Sequence, residues 1–262
     1  MTEEREICRA MEAAEREAAE LMRSAREVLA EAKSSRRDVV TAYDREVQAL
    51  LTRRLREAAS GARFFCEELE QQDELLAERL FIIDPIDGTM NFVHGFHHSC
   101  LSVGYASGGE LRAAAVYNPY VDEMFTAVRG EGAFLNGRPI HVSEAPLRES
   151  LVCYGTAPYN TELADETFVL ARRVFDESLD LRREGSAALD LCSVAAGRAG
   201  LYFELRVSLW DYAAGKLLVE EAGGLCRRLD GGALGLDPAR GSIVAGGKAA
   251  MADFLKLTGV RA

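Results

Sequence analysis

Residues 81–95 of the chain are Phe-Ile-Ile-Asp-Pro-Ile-Asp-Gly-Thr-Met-Asn-Phe-Val-His-Gly. The apolar residues Phe81–Ile83 predict a short buried strand, and the Asp, Pro and Gly residues that follow predict a turn where that strand ends. Two carboxylates three residues apart, Asp84 and Asp87, can then point into one pocket. Mg²⁺ prefers oxygen ligands of this kind, and a helix that begins at Gly88 and Thr89 would offer N–H groups to an anion. The pattern indicates metal-assisted phosphoryl chemistry, with a plain Asp- and Gly-rich surface turn as the alternative.

The composition of the whole chain is that of an ordinary soluble globular protein. It has 262 residues, 48% of them hydrophobic and 28% charged, which is enough for one large domain or two modest ones. Its formal charge of −11 argues against nucleic acid or an anionic membrane as a partner. An acidic protein that handles phosphate needs metal ions to neutralise the site, in agreement with the carboxylates of residues 84–87.

Cysteine usage and the N-terminal residues favour a cytoplasmic protein. The six cysteines are scattered without a Cys-x-x-Cys pair, which argues against a zinc site or a disulfide framework and favours buried free thiols in a reducing compartment. The chain has no run of about eighteen apolar residues, and the charged segment Glu3–Arg5 is unlike a secretory signal. We therefore expect no membrane span and a cytoplasmic location.

The N-terminal residues predict an amphipathic helix from residue 3 to about residue 33. Apolar residues between Ile7 and Val28 recur every three or four positions, with Glu and Arg between them. A coiled-coil or partner-binding arm is one interpretation. A helix docked on its own domain is favoured, because small alanines form a weak zipper seam.

Two further candidate carboxylates follow this helix. Val39–Tyr43 predicts a short strand or the approach to a second helix, which would run from Asp44 to about Ala59. Asp44 is either the N-cap of that helix or a catalytic group. The acidic run Glu67–Glu70 is of a kind that usually forms a solvated surface. It lies just upstream of residues 81–87, however, and a carboxylate from it could complete a metal shell.

The remaining patterns predict an α/β fold, of mixed α+β type, with two different sheets. Segments 99–106 and 111–117 alternate around Ser107-Gly108-Gly109, which indicates a β-hairpin, and residues 123–142 suggest further antiparallel strands. After the polar residues 143–146, strand and helix patterns alternate, including a strand at 151–154 and a helix at 164–176, which favours a more parallel sheet. We therefore expect an N-terminal α+β subdomain, residues 1–145, and a C-terminal α/β subdomain, residues 146–262.

The second half of the chain contains three candidate polar sites. Gly185-Ser186-Ala187 opens a helix, where a cap and an anion-binding role are equally good explanations. Glu204 ends the apolar segment 201–204, where a charged residue tends to mark an edge or a site. Asp211 lies at a predicted helix start, so it is either an N-cap or a rigidly held metal ligand. The histidines could be metal ligands, but they lack a His-x-x-x-His spacing, which favours loop or core positions instead: His94, His97, His98 and His141.

The chain resembles the inositol monophosphatase family. Its two signatures are Asp84-Pro-Ile-Asp-Gly-Thr-Met-Asn-Phe-Val-His-Gly95 and Trp210-Asp-Tyr-Ala-Ala-Gly215. Segments 33–44, 65–68 and 130–139 resemble further family elements, so the similarity covers nearly the whole chain. The resemblance implies a layered αβαβα sandwich of the sugar-phosphatase type and Mg²⁺-dependent hydrolysis of a phosphate monoester by a metal-activated water.

The resemblance also implies roles for individual residues. Two or three Mg²⁺ ions would bind, with Mn²⁺ as a substitute and Ca²⁺ and Li⁺ as inhibitors. Their ligands would be Glu67, Asp84, the carbonyl of Ile86, Asp87 and Asp211. Catalysis would use Glu67 together with Thr89, which is hydrogen-bonded to Asp44, orients the attacking water and helps to remove its proton. The substrate would contact Asp87, Gly88, Thr89, Gly185, Ser186, Ala187, Glu204 and Asp211.

Within this family, the residues favour myo-inositol 1-phosphate as the substrate. Glu204 lies seven residues before Asp211, where members that act on inositol carry a glutamate that binds ring hydroxyls. Asn91-Phe92 resembles the same branch. Cys66 replaces the glycine that usually precedes Glu67, and its side chain can shift that loop. A homodimer is a further expectation from the family.

Two alternatives stay open at this point. Within the enzyme class, the runner-up is a phosphatase for fructose 1,6-bisphosphate, histidinol phosphate or 3′-phosphoadenosine 5′-phosphate. The other alternative is a non-catalytic regulator that binds metal or phosphate. Such a protein would be expected to have lost a metal ligand or Thr89, and every one of these positions is present.

Overall fold

The computed structural model describes residues 2–26, 28–69, 72 and 74–260, apart from the side chains of residues 34 and 38. Over these residues the chain forms seven α-helices and fourteen strands. The helices are α1 (Glu3–Ser24), α2 (Ala42–Ala58), α3 (Thr89–Val93), α4 (Ala164–Asp176), α5 (Ala187–Ala195), α6 (Leu209–Glu221) and α7 (Lys248–Thr258). The strands are β1 (Ala30–Ser35), β2 (Asp38–Thr41), β3 (Arg63–Cys66), β4 (Leu80–Asp87), β5 (Cys100–Ser107), β6 (Glu110–Asn118), β7 (Glu123–Val128), β8 (Gly132–Leu135), β9 (Arg138–Ile140), β10 (Leu151–Tyr154), β11 (Asp180–Arg182), β12 (Leu201–Val207), β13 (Leu225–Arg227) and β14 (Gly241–Gly246).

Two large sheets organise the molecule. The first sheet has the strand order β3-β4-β5-β6-β7-β8-β9, and every neighbouring pair in it except β3–β4 is antiparallel. The second sheet has the order β11-β10-β12-β14-β13, and β10 runs parallel to both β11 and β12. The predicted contrast between an antiparallel N-terminal sheet and a more parallel C-terminal sheet is confirmed.

Helices and sheets alternate in five layers. Helices α1 and α2 pack on one face of the first sheet, around Phe81 and Tyr117. Helices α5 and α6 lie between the two sheets. Helices α4 and α7 cover the outer face of the second sheet, around Phe203 and Phe254. The expected α/β fold with αβαβα layering is therefore confirmed.

The proposed subdomain boundary at residue 145 stays a prediction. The first sheet lies wholly before this residue, and the second sheet lies wholly after it. The core between the sheets combines side chains from both parts, including Ile82 and Tyr202. The two parts therefore share one hydrophobic interior.

The N-terminal helix is shorter than its sequence pattern predicts. Helix α1 buries Ile7, Met11 and Ala18 against the first sheet, which confirms the docked helix rather than a coiled-coil arm. The prediction that the helix continues to about residue 33 is wrong, because α1 ends at Ser24 and residues 30–35 form β1, which pairs with β2. Helix propensity is a weak preference, and pairing with β2 supplies the backbone hydrogen bonds that a longer helix would have made. Residue 27 lies outside the described part.

The cysteines of the chain are free thiols rather than disulfide partners. All six cysteines are free thiols, five of them buried, as the sequence predicts. Burial raises the pKa of the Cys8 thiol to about 12, so this side chain stays neutral and acts as a packing residue. None of the helices in the described ranges combines the length and apolar character that crossing a membrane requires.

Candidate active site

Strand β4 carries the two aspartates of the first signature. The predicted end of this strand before Asp84 is wrong, since β4 continues to Asp87 with every residue buried. Asp84 pairs with Ser102 of β5. Asp87 pairs with Cys100, so three steps along β4 match two steps along β5. This bulge accommodates Pro85, which cannot donate to the sheet, and the extra residue lets both aspartates line one pocket.

The turn after β4 leads into a helix, as the sequence predicts. Gly88 has a φ of 87°, and a Cβ atom there would lie 3.0 Å from the carbonyl oxygen of His98, so glycine is required by both conformation and space. Helix α3 begins at Thr89. The Thr89 hydroxyl lies 3.0 Å from the carbonyl oxygen of Ile86 and 3.3 Å from Oδ1 of Asp44. Thr89 therefore connects the end of β4 to the beginning of α2.

Asp44 is the third residue of α2 rather than its N-cap. Thr41 caps the helix, and Oδ2 of Asp44 accepts hydrogen bonds from the Thr41 N–H at 2.7 Å and from the Thr41 hydroxyl at 2.6 Å. The predicted cap position is wrong because Thr41, in an extended conformation, already begins a reciprocal capping box with Asp44. Asp44 is fully buried, and this burial raises its pKa. One oxygen serves the helix, and the other faces Thr89.

Glu67 follows β3 and contacts a lysine that the sequence analysis did not assign to the site. The Glu67 N–H donates to the carbonyl oxygen of Ile83 at 3.1 Å, which holds the residue beside β4. Nζ of Lys33 lies 2.9 Å from Oε1 of Glu67 and also contacts Glu68. Lys33 was missed because the sequence pattern places it in α1 instead of in the β1–β2 hairpin. Glu70 of the same acidic run lies outside the described residues.

Asp211 reaches the same pocket from α6. It is the third residue of this helix, and its Oδ2 accepts a hydrogen bond from the N–H of Ser208 at 2.6 Å, so Ser208 is the N-cap and the predicted cap position is wrong. Burial raises the pKa of Asp211, and the charges of Asp87 and Glu67 raise it further. The helix start thus holds a half-buried carboxylate in an acidic environment.

Ser186 supports Asp87 from the second half of the chain. It is the N-cap of α5, and its hydroxyl donates to Oδ2 of Asp87 at 2.5 Å. The N–H of Ala188 donates to the same oxygen at 2.7 Å. Burial outweighs these two hydrogen bonds and raises the pKa of Asp87 to about 6. Gly185 and Ala187 line the pocket on either side of Ser186.

Glu204 lines the pocket from the middle of β12, so the prediction that it ends its strand is wrong. The strand continues past an irregularity in its pairing with β14, which accommodates the charged residue. The Tyr202 hydroxyl donates to Oε2 of Glu204 at 2.6 Å, and the Ala157 N–H donates to Oε1 at 2.7 Å. A Cβ atom at position 155 would lie 1.7 Å from Oε2, so Gly155 makes room for the carboxylate.

One pocket collects nearly all of the predicted site residues. Its lining includes Glu67, Asp84, Ile86, Asp87, Gly88, Thr89, Gly185, Ser186, Ala187, Glu204 and Asp211. Asp44 is absent from the lining and reaches the pocket through Thr89. The lining also contains residues that the sequence analysis did not single out, among them Tyr159, Arg183, Asp190, Arg206 and Arg240. An arginine has no sequence signal of its own in a chain with many charges, so these residues could be recognised only from the fold.

The donor set of this pocket suits divalent cations. Burial raises the pKa of Asp84, and the negative charges of Glu67, Asp87 and Asp211 raise it further. Carboxylate and carbonyl oxygens are the ligands that Mg²⁺ takes, and bound cations would relieve this repulsion. The roles of these residues as metal ligands stay a prediction.

A compact metal-type cluster lies beside this set of carboxylates. In the part of the chain that the structure describes, one group of three His, Cys, Asp or Glu side chains has ligand atoms that all lie within 4.8 Å of one another: His98, Glu184 and Asp190. This cluster shares no side chain with the carboxylates that are predicted to bind Mg²⁺.

The chain is similar in sequence to proteins named inositol-1-monophosphatase and to proteins named Nus factor SuhB, and similar in structure to a solved phosphatase. It is 39% identical over 208 residues to an inositol-1-monophosphatase of Rhizobium meliloti, covering 79% of this chain and 77% of that protein. It is 37% identical over 219 residues to a putative Nus factor SuhB of Neisseria meningitidis, covering 83% of each chain. A solved IMPase/NADP phosphatase, complexed with Mg²⁺ and phosphate, aligns with a TM-score of 0.83 at 26% identity, covering 96% of this chain and 92% of that chain.

The family assignment rests on nearly the whole chain. The model of the inositol monophosphatase family matches residues 3–258, a range that includes both signatures. This match and the identities to the two relatives confirm the resemblance seen in the sequence. The chain belongs to the inositol monophosphatase family and is a phosphatase.

Proposed function

We propose that the chain hydrolyses a small phosphate monoester in a Mg²⁺-dependent reaction and that its substrate is myo-inositol 1-phosphate. One observation carries this proposal: the carboxylates Glu67, Asp84, Asp87 and Asp211 line the same pocket as the oriented carboxylate of Glu204. A phosphate monoester of a cyclic polyol would place its phosphate group near these four carboxylates and its ring hydroxyls near Glu204. The family membership supports the reaction class.

Four carboxylates and the carbonyl of Ile86 would hold the metal. Bound Mg²⁺ lowers the pKa of a water molecule and neutralises charge on the phosphoryl group. The chain would contribute the ligands Glu67, Asp84, Asp87 and Asp211 from four separate elements. Ser186 and Ala188 would keep Asp87 in place through their hydrogen bonds to its Oδ2. The related IMPase/NADP phosphatase, solved with Mg²⁺ and phosphate bound, supports Mg²⁺ as the metal.

Thr89 and Asp44 would remove the proton of the attacking water. The Thr89 hydroxyl lies 3.3 Å from Oδ1 of Asp44, and burial raises the pKa of Asp44, so this carboxylate is a suitable proton acceptor. Thr41 holds the other oxygen of Asp44 and keeps it oriented. The backbone N–H groups of Gly88 and Thr89, at the start of α3, would contact phosphate oxygens.

Glu204 would select for a substrate that donates hydrogen bonds. Tyr202 and Ala157 orient its two oxygens, and each carboxylate oxygen can accept more than one hydrogen bond. A ring with adjacent hydroxyls satisfies such a buried acceptor, whereas a substrate without them leaves it unpaired. Gly185 and Ala187 would complete the wall of this subsite.

A second candidate substrate class is favoured by three arginines. Arg183, Arg206 and Arg240 line the same pocket, and guanidinium groups bind phosphate well. A substrate with a second phosphate, such as fructose 1,6-bisphosphate or 3′-phosphoadenosine 5′-phosphate, would use them. Histidinol phosphate remains a further candidate within the same reaction class.

Phosphate release from a substrate panel tests the proposal. The panel contains inositol 1-phosphate, fructose 1,6-bisphosphate, histidinol phosphate and 3′-phosphoadenosine 5′-phosphate, each with and without Mg²⁺. We expect Mg²⁺-dependent turnover that Asp87→Asn abolishes, with the highest kcat/KM for inositol 1-phosphate. A far higher kcat/KM for another compound would contradict the substrate assignment. Glu204→Gln, which keeps the size of the side chain, should lower kcat/KM most for inositol 1-phosphate.

A regulatory role is the candidate from a different class. The similarity to a putative Nus factor SuhB motivates it. Folded protein that binds Mg²⁺ but releases phosphate from none of the four compounds would favour this role over the enzymatic one. We also propose a homodimer with a cytoplasmic location, and sedimentation of the purified protein tests the oligomeric state.

A further inference from the structure

We propose that His98, Glu184 and Asp190 bind a divalent transition-metal ion of the Zn²⁺ type beside the active site. One ligand atom of each side chain lies within 4.8 Å of the other two. A ring nitrogen with two carboxylates favours zinc and its neighbours, whereas Mg²⁺ takes oxygen ligands. Ligands of a tetrahedral zinc ion lie roughly 3.5 Å apart, so small side-chain rotations close this shell. The site shares no side chain with the carboxylates proposed to bind Mg²⁺, and its Asp190 also lines their pocket, so the two sites are neighbours.

Two atoms of the cluster lack the partners that buried polar groups normally have. Asp190 is 1% exposed, and its Oδ1 has no hydrogen-bond partner within the described structure. Nε2 of His98 lies 3.1 Å from Oε2 of Glu184, yet it makes no hydrogen bond with acceptable geometry. Buried polar atoms are almost always satisfied, and a bound cation would satisfy both of these at once.

The local chemistry also suits a cation. A ring nitrogen and two carboxyl groups, those of His98, Glu184 and Asp190, lie close together there, and all three are common zinc ligands. The Cys153 side chain lines the same surface groove as His98 and Glu184. The nearby Arg182 is paired with Asp180 and so does not neutralise the cluster by itself.

The backbone around the cluster is braced by one side chain. The amide of Asn91 donates to the carbonyl oxygen of His98 at 2.7 Å and to the carbonyl oxygen of Glu184 at 2.8 Å. Asn91 therefore ties together the two loops that supply two of the ligands, and Asp190 is fixed by α5. A surface groove lined by His98, Glu184 and Cys153 offers an entry path for an ion. Preorganised ligands of this kind are what a metal site requires.

An ion at this site would act on the neighbouring active site through the chain itself. Glu184 directly precedes Gly185 and Ser186, and the Ser186 hydroxyl donates to Asp87. Bound metal would therefore restrain the segment that orients Asp87. Because the ion binds the folded protein, it should also raise the midpoint of thermal unfolding.

Titration with Zn²⁺ in the presence of excess Mg²⁺ tests the proposal. The metal-free full chain is saturated with Mg²⁺ and then titrated with Zn²⁺ in a calorimeter. We expect one Zn²⁺ per chain, bound at least about 100-fold more weakly by His98→Asn and by Glu184→Gln, each of which loses a direct ligand. His94→Asn, which changes an exposed histidine four residues away, is the matched control and should bind as the unmodified chain does.

Asp190→Asn is the third variant, and the other two keep the test decisive if its folding is impaired. Co²⁺ provides an independent signal, since its visible absorption should change on binding to the unmodified chain and to His94→Asn but not to His98→Asn. Zn²⁺ binding that is lost in Asp87→Asn and retained in His98→Asn would place the ion in the carboxylate pocket and overturn the proposal. Absence of Zn²⁺ binding under Mg²⁺ saturation would also overturn it. Neither result depends on which phosphate ester the protein hydrolyses.

Discussion

Asp44 and Asp211 occupy the same position in two helices that begin 167 residues apart in the chain. Each is the third residue of its helix, and each gives one carboxylate oxygen to the backbone N–H of the N-cap residue. This hydrogen bond fixes the side chain at the helix start, where the local backbone is rigid. The same capping geometry thus orients two carboxylates that the proposed mechanism assigns to different tasks, proton removal and metal binding.

Asp44→Asn should separate capping from proton transfer. The amide oxygen of asparagine can still accept the Thr41 N–H, so we expect the free energy of unfolding to change by less than about 1 kcal/mol. The amide cannot take a proton from Thr89, so kcat should fall by roughly 10² to 10⁴-fold. Mg²⁺ affinity should change little, since Asp44 does not line the pocket. Steady-state kinetics and denaturant unfolding measure the two effects.

The control for this variant is Glu46→Gln, which changes an exposed acid on the same helix. It should leave kcat and stability as they are in the unmodified chain. An unchanged kcat in Asp44→Asn would exclude Asp44 as the proton acceptor, whatever the stability of the variant.

Local patterns predict the side chains that line this pocket better than the contacts that hold them. Asp84 and Asp87 stand three residues apart after an apolar segment, and the alternation of apolar residues indicates the hairpins of the first sheet. Lys33 and Glu67 are 34 residues apart, and Ser186 and Asp87 are 99 residues apart. Contacts at such separations form only when sheets and helices pack, so no local spacing reveals them.

The errors in element boundaries have the same cause. The sequence around residues 30–33 has good helix propensity, but pairing with β2 makes it a strand. Strand β4 continues past Asp84 because a bulge accommodates Pro85. In the sequence alone, this proline indicates a turn. In both cases a tertiary contact outweighs a preference worth only a fraction of a kcal/mol per residue.

Mg²⁺ affinity should rise with pH through about pH 6. Burial raises the pKa of Asp87 to about 6, so below this pH a proton must leave before a cation binds. Without metal, the folded protein binds more protons than the unfolded chain between about pH 4 and pH 6, so its stability falls as the pH rises through this range. Calorimetric titration with Mg²⁺ at pH 5 and pH 7.5 measures the change in affinity.

Asp87→Asn removes this titration and should stabilise the metal-free protein. The asparagine oxygen can still accept from Ser186 and Ala188, so the structural hydrogen bonds are kept. We expect the variant to be more stable than the unmodified chain by about 1–3 kcal/mol at pH 7.5, with no advantage near pH 4. Excess Mg²⁺ should reverse the order at pH 7.5, because it binds the unmodified site. Equal stabilities in a chelator at pH 7.5 would contradict the argument.

Gly155→Ala should disturb the Glu204 subsite specifically. The new methyl group would lie 1.7 Å from Oε2 of Glu204, so the carboxylate must leave its hydrogen bonds to Tyr202 and Ala157. We expect KM for inositol 1-phosphate to rise roughly 10-fold or more, with a much smaller change for a phosphate ester that has no ring hydroxyls. Gly235→Ala is the matched control, because a Cβ atom there meets nothing within 4 Å. A KM that is equal in both variants would exclude Glu204 from substrate binding.

Glu15 is a buried acid without a partner on α1. It is 0% exposed, and neither carboxylate oxygen has a hydrogen-bond partner within the described structure. Burial raises its pKa, and the nearby Glu12 raises it further. The folded state therefore keeps a proton that the unfolded chain releases above about pH 4.5. The stability that this proton confers is lost as the pH rises through the raised folded pKa.

Glu15→Met should therefore stabilise the protein, and more so at high pH. Methionine fills a similar volume without a polar group, so we expect the free energy of unfolding to rise by about 1–3 kcal/mol at pH 8 and by less at pH 5. Glu6→Met, at an exposed position of the same helix, should change it by less than about 0.5 kcal/mol. Denaturant unfolding at the two pH values measures both variants. A Glu15→Met protein that is less stable than the unmodified chain at pH 8 would mean that the carboxylate has a stabilising partner in solution.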